Sequence, residues 1–231
     1  MCGYAVVISK SSNVVSSALK SFDNHLSHRG PDDSGEMQVQ VGNKYIGFGH
    51  RRLSILDLTS KGKQPIQDST SGNIIVFNGE IYNFISLKDS LKSLGETFNS
   101  NSDTEVILKG YKVWGVKKLL KKINGMFSFC IWDNNLKELI IVRDPLGIKP
   151  LYFHNHNGTF ICASEVKSII NSGLVSDALD IQSIDSFLAY GSVQPPKTIY
   201  ADVNSLMPGH IIRYSLLSDH IDIKRYWAWD T

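Results

Sequence analysis

The chain has 231 residues, of which 42% are hydrophobic and 20% charged, with a formal net charge of +2. A chain of that kind buries a core as one large domain, or as one domain with an appendage, and its near balance of charge argues against a dominant nucleic-acid or membrane surface. No apolar run reaches the length of a membrane span, no signal peptide opens the chain, and Cys2, Cys130 and Cys162 cannot all pair and lack metal-ligand spacing, so a cytoplasmic protein with reduced thiols is expected.

Cys2 stands before Gly3 and the apolar run Tyr4-Ala5-Val6-Val7-Ile8, which predicts a strand over 4–9. By position alone, an early cysteine is a small apolar residue opening a strand. If Met1 is removed, the same residue carries a thiol and a free α-amine, a nucleophile with its own base. A helical pattern follows at 16–28, and then the block His28-Arg29-Gly30-Pro31-Asp32-Asp33-Ser34-Gly35, whose residue types are those of a loop. The strand expected over 44–52 holds Gly47-Phe48-Gly49-His50-Arg51-Arg52. Alternation sends Arg51 and Arg52 to opposite faces, so one can face a pocket. The glycine pair lacks the third glycine of a dinucleotide fingerprint, which excludes that reading.

A strand over 74–78 runs into Asn78-Gly79-Glu80-Ile81-Tyr82-Asn83. Asn-Gly is a turn signal, and it also offers a side-chain amide and a close-approaching backbone N–H to one developing negative charge. Helices are expected over 85–94, with Asn83 as a possible cap, and over 104–121, with Asp103 as its cap. A capping carboxylate at a pocket edge can also hold an ammonium group. Strands over 126–133 and 138–143 are joined through Asn134-Asn135, and strands over 151–154 and 159–163 through Asn157-Gly158, which predicts antiparallel hairpins. Between these hairpins, residues 143–152 form a charged turn, expected to be an ion-pair corner. Further helices are predicted over 165–172 and 181–190. After Gly191, Gln194-Pro195-Pro196-Lys197 and Met207-Pro208-Gly209 are turn signals, and the chain runs out through Arg225-Tyr226-Trp227-Ala228-Trp229. A domain over 2–190 and a tail over 191–231 leading toward a missing second domain are therefore expected. Strand clusters separated by pairs of helices, without strict βαβ alternation, predict α+β layers with sheets packed together and helices outside.

Taken in order, Met1-Cys2-Gly3, residues 28–35, 49–55, Gln64-Pro65, 78–83, 103–107, 125–133, 143–152 and 163–167 resemble one known family. It is the glutaminase domain of class II (N-terminal nucleophile) glutamine amidotransferases, in the branch of the glutamine-hydrolysing asparagine synthetases. The resemblance covers nearly the whole chain and includes Pro208-Gly209-His210 and Arg225-Tyr226-Trp227. It implies a four-layer αββα sandwich of two antiparallel sheets, the Ntn-hydrolase type. It implies that Cys2 attacks the glutamine side-chain amide with its α-amine as base, that Asn78 and Gly79 form the oxyanion hole, and that Arg52 clamps the substrate carboxylate. Glu80 and Asp103 would hold the substrate ammonium. His50 is left with a structural role, and Arg29 and Asp32 with ordering a loop. No metal or cofactor is implied in this domain. ATP and Mg are expected only in a synthetase domain downstream, since the chain lacks a Ser-Gly-Gly-x-Asp-Ser loop. That partner would use the ammonia to amidate aspartate or another carboxylate, and a homodimer is a further possible partner. With Met1 retained, the alternative is a catalytically silent glutamine-binding or dimerisation module.

Overall fold

The computed structural model describes residues 1–156 and 158–229. Twelve strands make up two sheets among these residues. They are β1 (Gly3–Ser9), β2 (Asp33–Val41), β3 (Lys44–Arg52), β4 (Ile66–Gln67), β5 (Ile74–Ile81), β6 (Gly125–Asp133), β7 (Glu138–Arg143), β8 (Tyr152–His156), β9 (Thr159–Ala163), β10 (Asn204–Ser205), β11 (His210–Ser215) and β12 (Ile221–Arg225). The helices are α1 (Ser12–Leu26), α2 (Phe84–Ser93), α3 (Asp103–Lys122), α4 (Val166–Ile170) and α5 (Ile181–Tyr190). One sheet has the order β10-β8-β9-β1-β3-β2, the other β12-β11-β7-β6-β5-β4, and every pairing is antiparallel.

The apolar pattern dictates the layering. Tyr4, Val6 and Ile8 of β1 pack with Val76, Cys130, Trp132 and Ile141 of the other sheet, in a core between the two sheets. Ala5 and Val7, on the opposite face of β1, pack under Val15, Leu19 and Phe22 of α1. A strand buried on both faces has no polar side to show, which is why its sequence is a continuous apolar run. Ile75, Phe77, Phe129 and Ile131 form the matching outer core under α2 and α3. The result is the four-layer αββα arrangement expected. Gly47 lets α1 lie close to the first sheet, because a Cβ there would meet Val15 Cγ1 at 2.5 Å.

Several local expectations are corrected. The block at 28–35 is only partly loop, since β2 begins at Asp33. Met37, Val39 and Val41 alternate along β2 and pack on the inter-sheet core, while the other face of this edge strand is polar. The third predicted helix is interrupted at Gly115, which sits at φ +70°. The antiparallel hairpin expected through Asn134-Asn135 does form between β6 and β7, and Asp133 Oδ1 accepts the N–H groups of Asn135 and Leu136 in its turn at 2.8 Å each. In the β8–β9 connection Asn157 lies outside the described residues, and Gly158 has φ +75°. Within 191–231, β11 pairs with β7 and β12 with β11, and Tyr226 donates from its hydroxyl to the Arg143 carbonyl at 2.8 Å. No helix among the described residues is long and apolar enough to cross a membrane.

Candidate active site

Strand parity assembles the site. In the β1–β3 pair Tyr4 lies opposite His50 and Gly3 opposite Arg51, so Cys2 and Arg52 fall on the inter-sheet face one step further out. There Cys2, Arg52, Gly79, Glu80 and Asp103 line one small cavity of about 30 Å³, with Gln64 on its wall. Asn78 does not line it. The residue is 1% exposed, and its amide Nδ2 is buried with no hydrogen-bond partner among the described residues. A larger cavity of about 840 Å³ opens between α1 and the β2–β3 edge, and none of the six candidate residues lines it. There Arg51 is engaged by Asp23 at 3.1 Å, so size does not identify the reactive site.

Cys2 is held by two residues, Leu53 and Arg29. The Leu53 N–H approaches its sulfur at 3.4 Å, and Arg29 donates from Nε to its carbonyl at 2.9 Å. Arg29 is itself anchored to Glu165 through Nη1 at 3.0 Å. Burial pushes the Cys2 thiol above its ordinary value, against the opposing pull of the Leu53 N–H. The group is therefore a thiol at neutral pH and needs a base to become a nucleophile. With Met1 attached, the nitrogen of Cys2 is an amide and cannot be that base.

The Arg52 guanidinium donates to the carbonyls of Thr59 and Leu56 at 3.0 Å each, and also to that of Asp57. It thereby closes the 53–62 loop over the cavity. Three of its five donors are engaged, which leaves others for an incoming carboxylate. Gly62 makes room for this group, since a Cβ there would meet Arg52 Nη2 at 2.2 Å.

Across the cavity stand two carboxylates. Asp103 is the first residue of α3 and not its cap. The cap is Ser102, whose hydroxyl accepts the Thr104 N–H at 3.1 Å. That frees the Asp103 carboxylate to accept the Ile81 N–H at 3.0 Å. Burial, and then the neighbouring Glu80, push the Asp103 carboxyl up to about 6. Burial also raises Glu80, and Lys149 opposes it. Among the described residues neither carboxylate has a cationic partner within ion-pair distance. A buried and a half-buried carboxylate, without a counter-charge among the described residues, are electrostatically prepared for a cation from outside.

Gly79 cannot be anything larger, since a Cβ would meet the Met126 carbonyl at 2.3 Å. His50 lowers its own proton affinity by burial, to about 4, and its Nε2 pairs with the Phe77 carbonyl at 3.0 Å. It is a neutral brace between the sheets, in line with the structural role expected. Asp32 accepts the Ser54 N–H at 2.7 Å and so orders the 53–62 loop.

Sequence reasoning understated three residues. Gln64 accepts the Phe77 N–H at 2.7 Å and donates to Thr104 Oγ1 at 3.2 Å, tying β5 to α3 beside the cavity. Arg29 holds the Cys2 backbone directly. Lys149 comes from the corner expected to be an ion pair, but Arg143 and Asp144 do not pair with each other. Each binds backbone instead. The missed signal was the spacing of that corner, which returns its lysine to the chain start.

Comparison with known proteins identifies the family and the fold. The profile of a family described as the glutamine amidotransferase domain matches residues 1–227. Asparagine synthetase [glutamine-hydrolyzing] 1 of Bacillus subtilis is 37% identical over 213 residues, 90% of this chain and 33% of that protein. A putative asparagine synthetase [glutamine-hydrolyzing] 2 of Methanocaldococcus jannaschii is 33% identical over 246 residues, 100% of this chain and 47% of that protein. The chain thus spans a third to a half of the length of these relatives. The solved glutamine phosphoribosylpyrophosphate amidotransferase of B. subtilis superposes with a TM-score of 0.69 at 18% identity, over 98% of this chain and 49% of that one. It shares the Ntn-type fold.

Proposed function

This chain belongs to the glutamine amidotransferase domain family, and we propose that it hydrolyses glutamine to glutamate and ammonia through a thioester on Cys2. The observation that carries this reading is the convergence of Cys2, Arg52, Gly79, Glu80 and Asp103 on one cavity. The substrate carboxylate meets the free donors of Arg52, and its ammonium meets Glu80 and Asp103. That places the side-chain amide toward Cys2. The α-amine of Cys2, freed of Met1, takes the thiol proton, and the sulfur attacks the amide carbon. An α-amine with a pKa near ~8 has enough neutral form near pH 7 to do this. Gly79 on the cavity wall is placed to stabilise the oxyanion, and the resemblance adds the buried Asn78 amide next to it in sequence as the second donor. The carbon–nitrogen bond then breaks, ammonia leaves with the proton returned by the α-ammonium, and water hydrolyses the thioester.

Ammonia production here serves an acceptor site elsewhere. The support is the length of the asparagine-synthetase relatives, which exceed this chain two- to threefold and whose names couple glutamine hydrolysis to asparagine synthesis. In this reading the glutaminase unit includes β10, β11 and β12, which complete its two sheets, and it delivers ammonia to a synthetase domain where ATP-dependent amidation of aspartate or another carboxylate takes place. A reducing, cytoplasmic setting belongs to the same reading, because the nucleophile is a free thiol.

A second reading rests on Met1. As long as it stays attached, the nitrogen of Cys2 has no basic lone pair and the domain binds glutamine without turning it over. Intact mass together with glutamate release distinguishes the two. Turnover by protein that has lost Met1, and none by protein that keeps it, supports the hydrolase. No turnover by the processed protein refutes it.

A further inference from the structure

Residues 143–149 form a corner whose backbone is clamped from both sides. Asp144 accepts the N–H groups of Leu146, Ile148 and Lys149 at 2.9–3.1 Å. Arg143 donates to the carbonyls of Gly147 and Lys149 at 2.9 Å each. The corner fixes Lys149, which is only 4% exposed. Among the described residues its ammonium has one polar neighbour, the Met1 thioether sulfur at 3.3 Å. Among the described residues no carboxylate lies within ion-pair distance of it. A buried ammonium without an anion is costly and calls for a role.

We propose that Lys149 is a positioning residue for the hydrolysis, keeping the freed α-amine of Cys2 in the neutral form that accepts the thiol proton. This rests on the glutaminase reading above. Met1 is bonded to the Cys2 nitrogen, so bond lengths alone put the Lys149 ammonium within about 10 Å of that nitrogen. A second positive charge there is disfavoured, and at an effective dielectric of about 20 the repulsion at that separation amounts to about one pH unit in the titration of the amine. Burial and Arg29 lower Lys149 itself, while Glu80, Cys2 and Asp144 oppose the change.

The charged groups around the terminus come from every neighbouring element. Arg29, beyond α1, is occupied by Glu165, which also binds His28 and Lys167. Arg52 on β3 is spent on loop carbonyls, and Asp144 on backbone N–H groups. Glu80 on β5 and Asp103 on α3 favour a charged amine, but the ammonium of bound glutamine neutralises them in the complex. Among the described groups around the terminus, Lys149 is then the cation left without a counter-charge.

The test uses protein shown by intact mass to have lost Met1, as wild type, Lys149→Met, Lys149→Gln and Lys149→Arg. The thiol is reversibly blocked as a methyl disulfide. The α-amine is titrated by acetic anhydride labelling across pH and read on the N-terminal peptide by mass spectrometry. The same proteins, unblocked, give the pH profile of kcat/KM for glutamate release. Removing the charge should raise both the labelling midpoint and the acid limb of the profile by about one pH unit, and Lys149→Arg should restore both. Coincident labelling curves for folded wild type and either neutral variant would overturn the proposal, as would a protein that keeps Met1. Absence of glutamate release by processed wild type sinks the glutaminase reading, and the labelling curve reports on Lys149 independently, so the two failures are told apart.

Discussion

The Asp103 carboxylate accepts the Ile81 N–H at 3.0 Å, joining the first residue of α3 to the last of β5. This bond holds a buried negative charge beside Glu80. The raised Asp103 value, about 6, means that the fold prefers the protonated acid. The stability this group contributes is present below the unfolded value near 4 and is lost as pH rises through about 6. At pH 7 the ionised carboxylate costs up to about 3 kcal/mol. Asp103→Asn, which keeps the acceptor for Ile81, should therefore raise the melting temperature at pH 7 and leave it unchanged below pH 4. It should also raise KM for glutamine by about tenfold or more through loss of the counter-charge. Thermal melts at both pH values, set beside steady-state kinetics, check this. A variant less stable than wild type at pH 7 contradicts the assignment.

Arg29 reaches Cys2 through its carbonyl, not its sulfur. Arg29→Met keeps the length of the stem and deletes the bond. The fold should survive, since Glu165 retains His28 and Lys167. The loss should fall on kcat, by roughly tenfold to a hundredfold, because a small misplacement of a nucleophile costs about that much. KM should move little. A change confined to KM would put Arg29 on the substrate and not on the nucleophile.

The legible part of this fold was the part that repeats. β3, β7, β9 and α5 fall at their expected limits because their apolar periodicity is uninterrupted. β2 was hidden because an edge strand shows alternation on only one face, and its first residues share the composition of a loop. β11 and β12 lie beyond two proline-rich turns and were not read as strands. In the site, Cys2 and Arg52 were visible as residue types, but the register that brings them together was not. The nearness of Lys149 to Met1 spans 148 positions and follows only from the clamped corner. The exchange of capping roles between Ser102 and Asp103 is a one-residue shift, below what propensity resolves.

Asn78 Nδ2 is buried and unpartnered among the described residues, so the folded protein gains nothing from it. Asn78→Ala should lower kcat by about 100- to 1,000-fold, as expected for loss of one oxyanion donor. The melting temperature should hold or rise, because an unsatisfied donor has been removed from the interior. A variant that melts earlier, with kcat intact, would make Asn78 a packing residue of the inter-sheet layer.

Arg52 combines two tasks that lysine cannot. Its fork spans the carbonyls of Leu56, Asp57 and Thr59 while leaving donors toward the cavity, whereas an ammonium is a point charge on a flexible stem. In Arg52→Lys the 53–62 loop loses its tie and the substrate carboxylate loses its paired donors. KM should rise by about tenfold or more, one bidentate contact being worth more than 1.4 kcal/mol, and limited proteolysis should cut the loop faster. The two effects separate the roles. Faster cleavage with KM unchanged would leave Arg52 as a loop tie alone, and the glutamine carboxylate would then need a different partner.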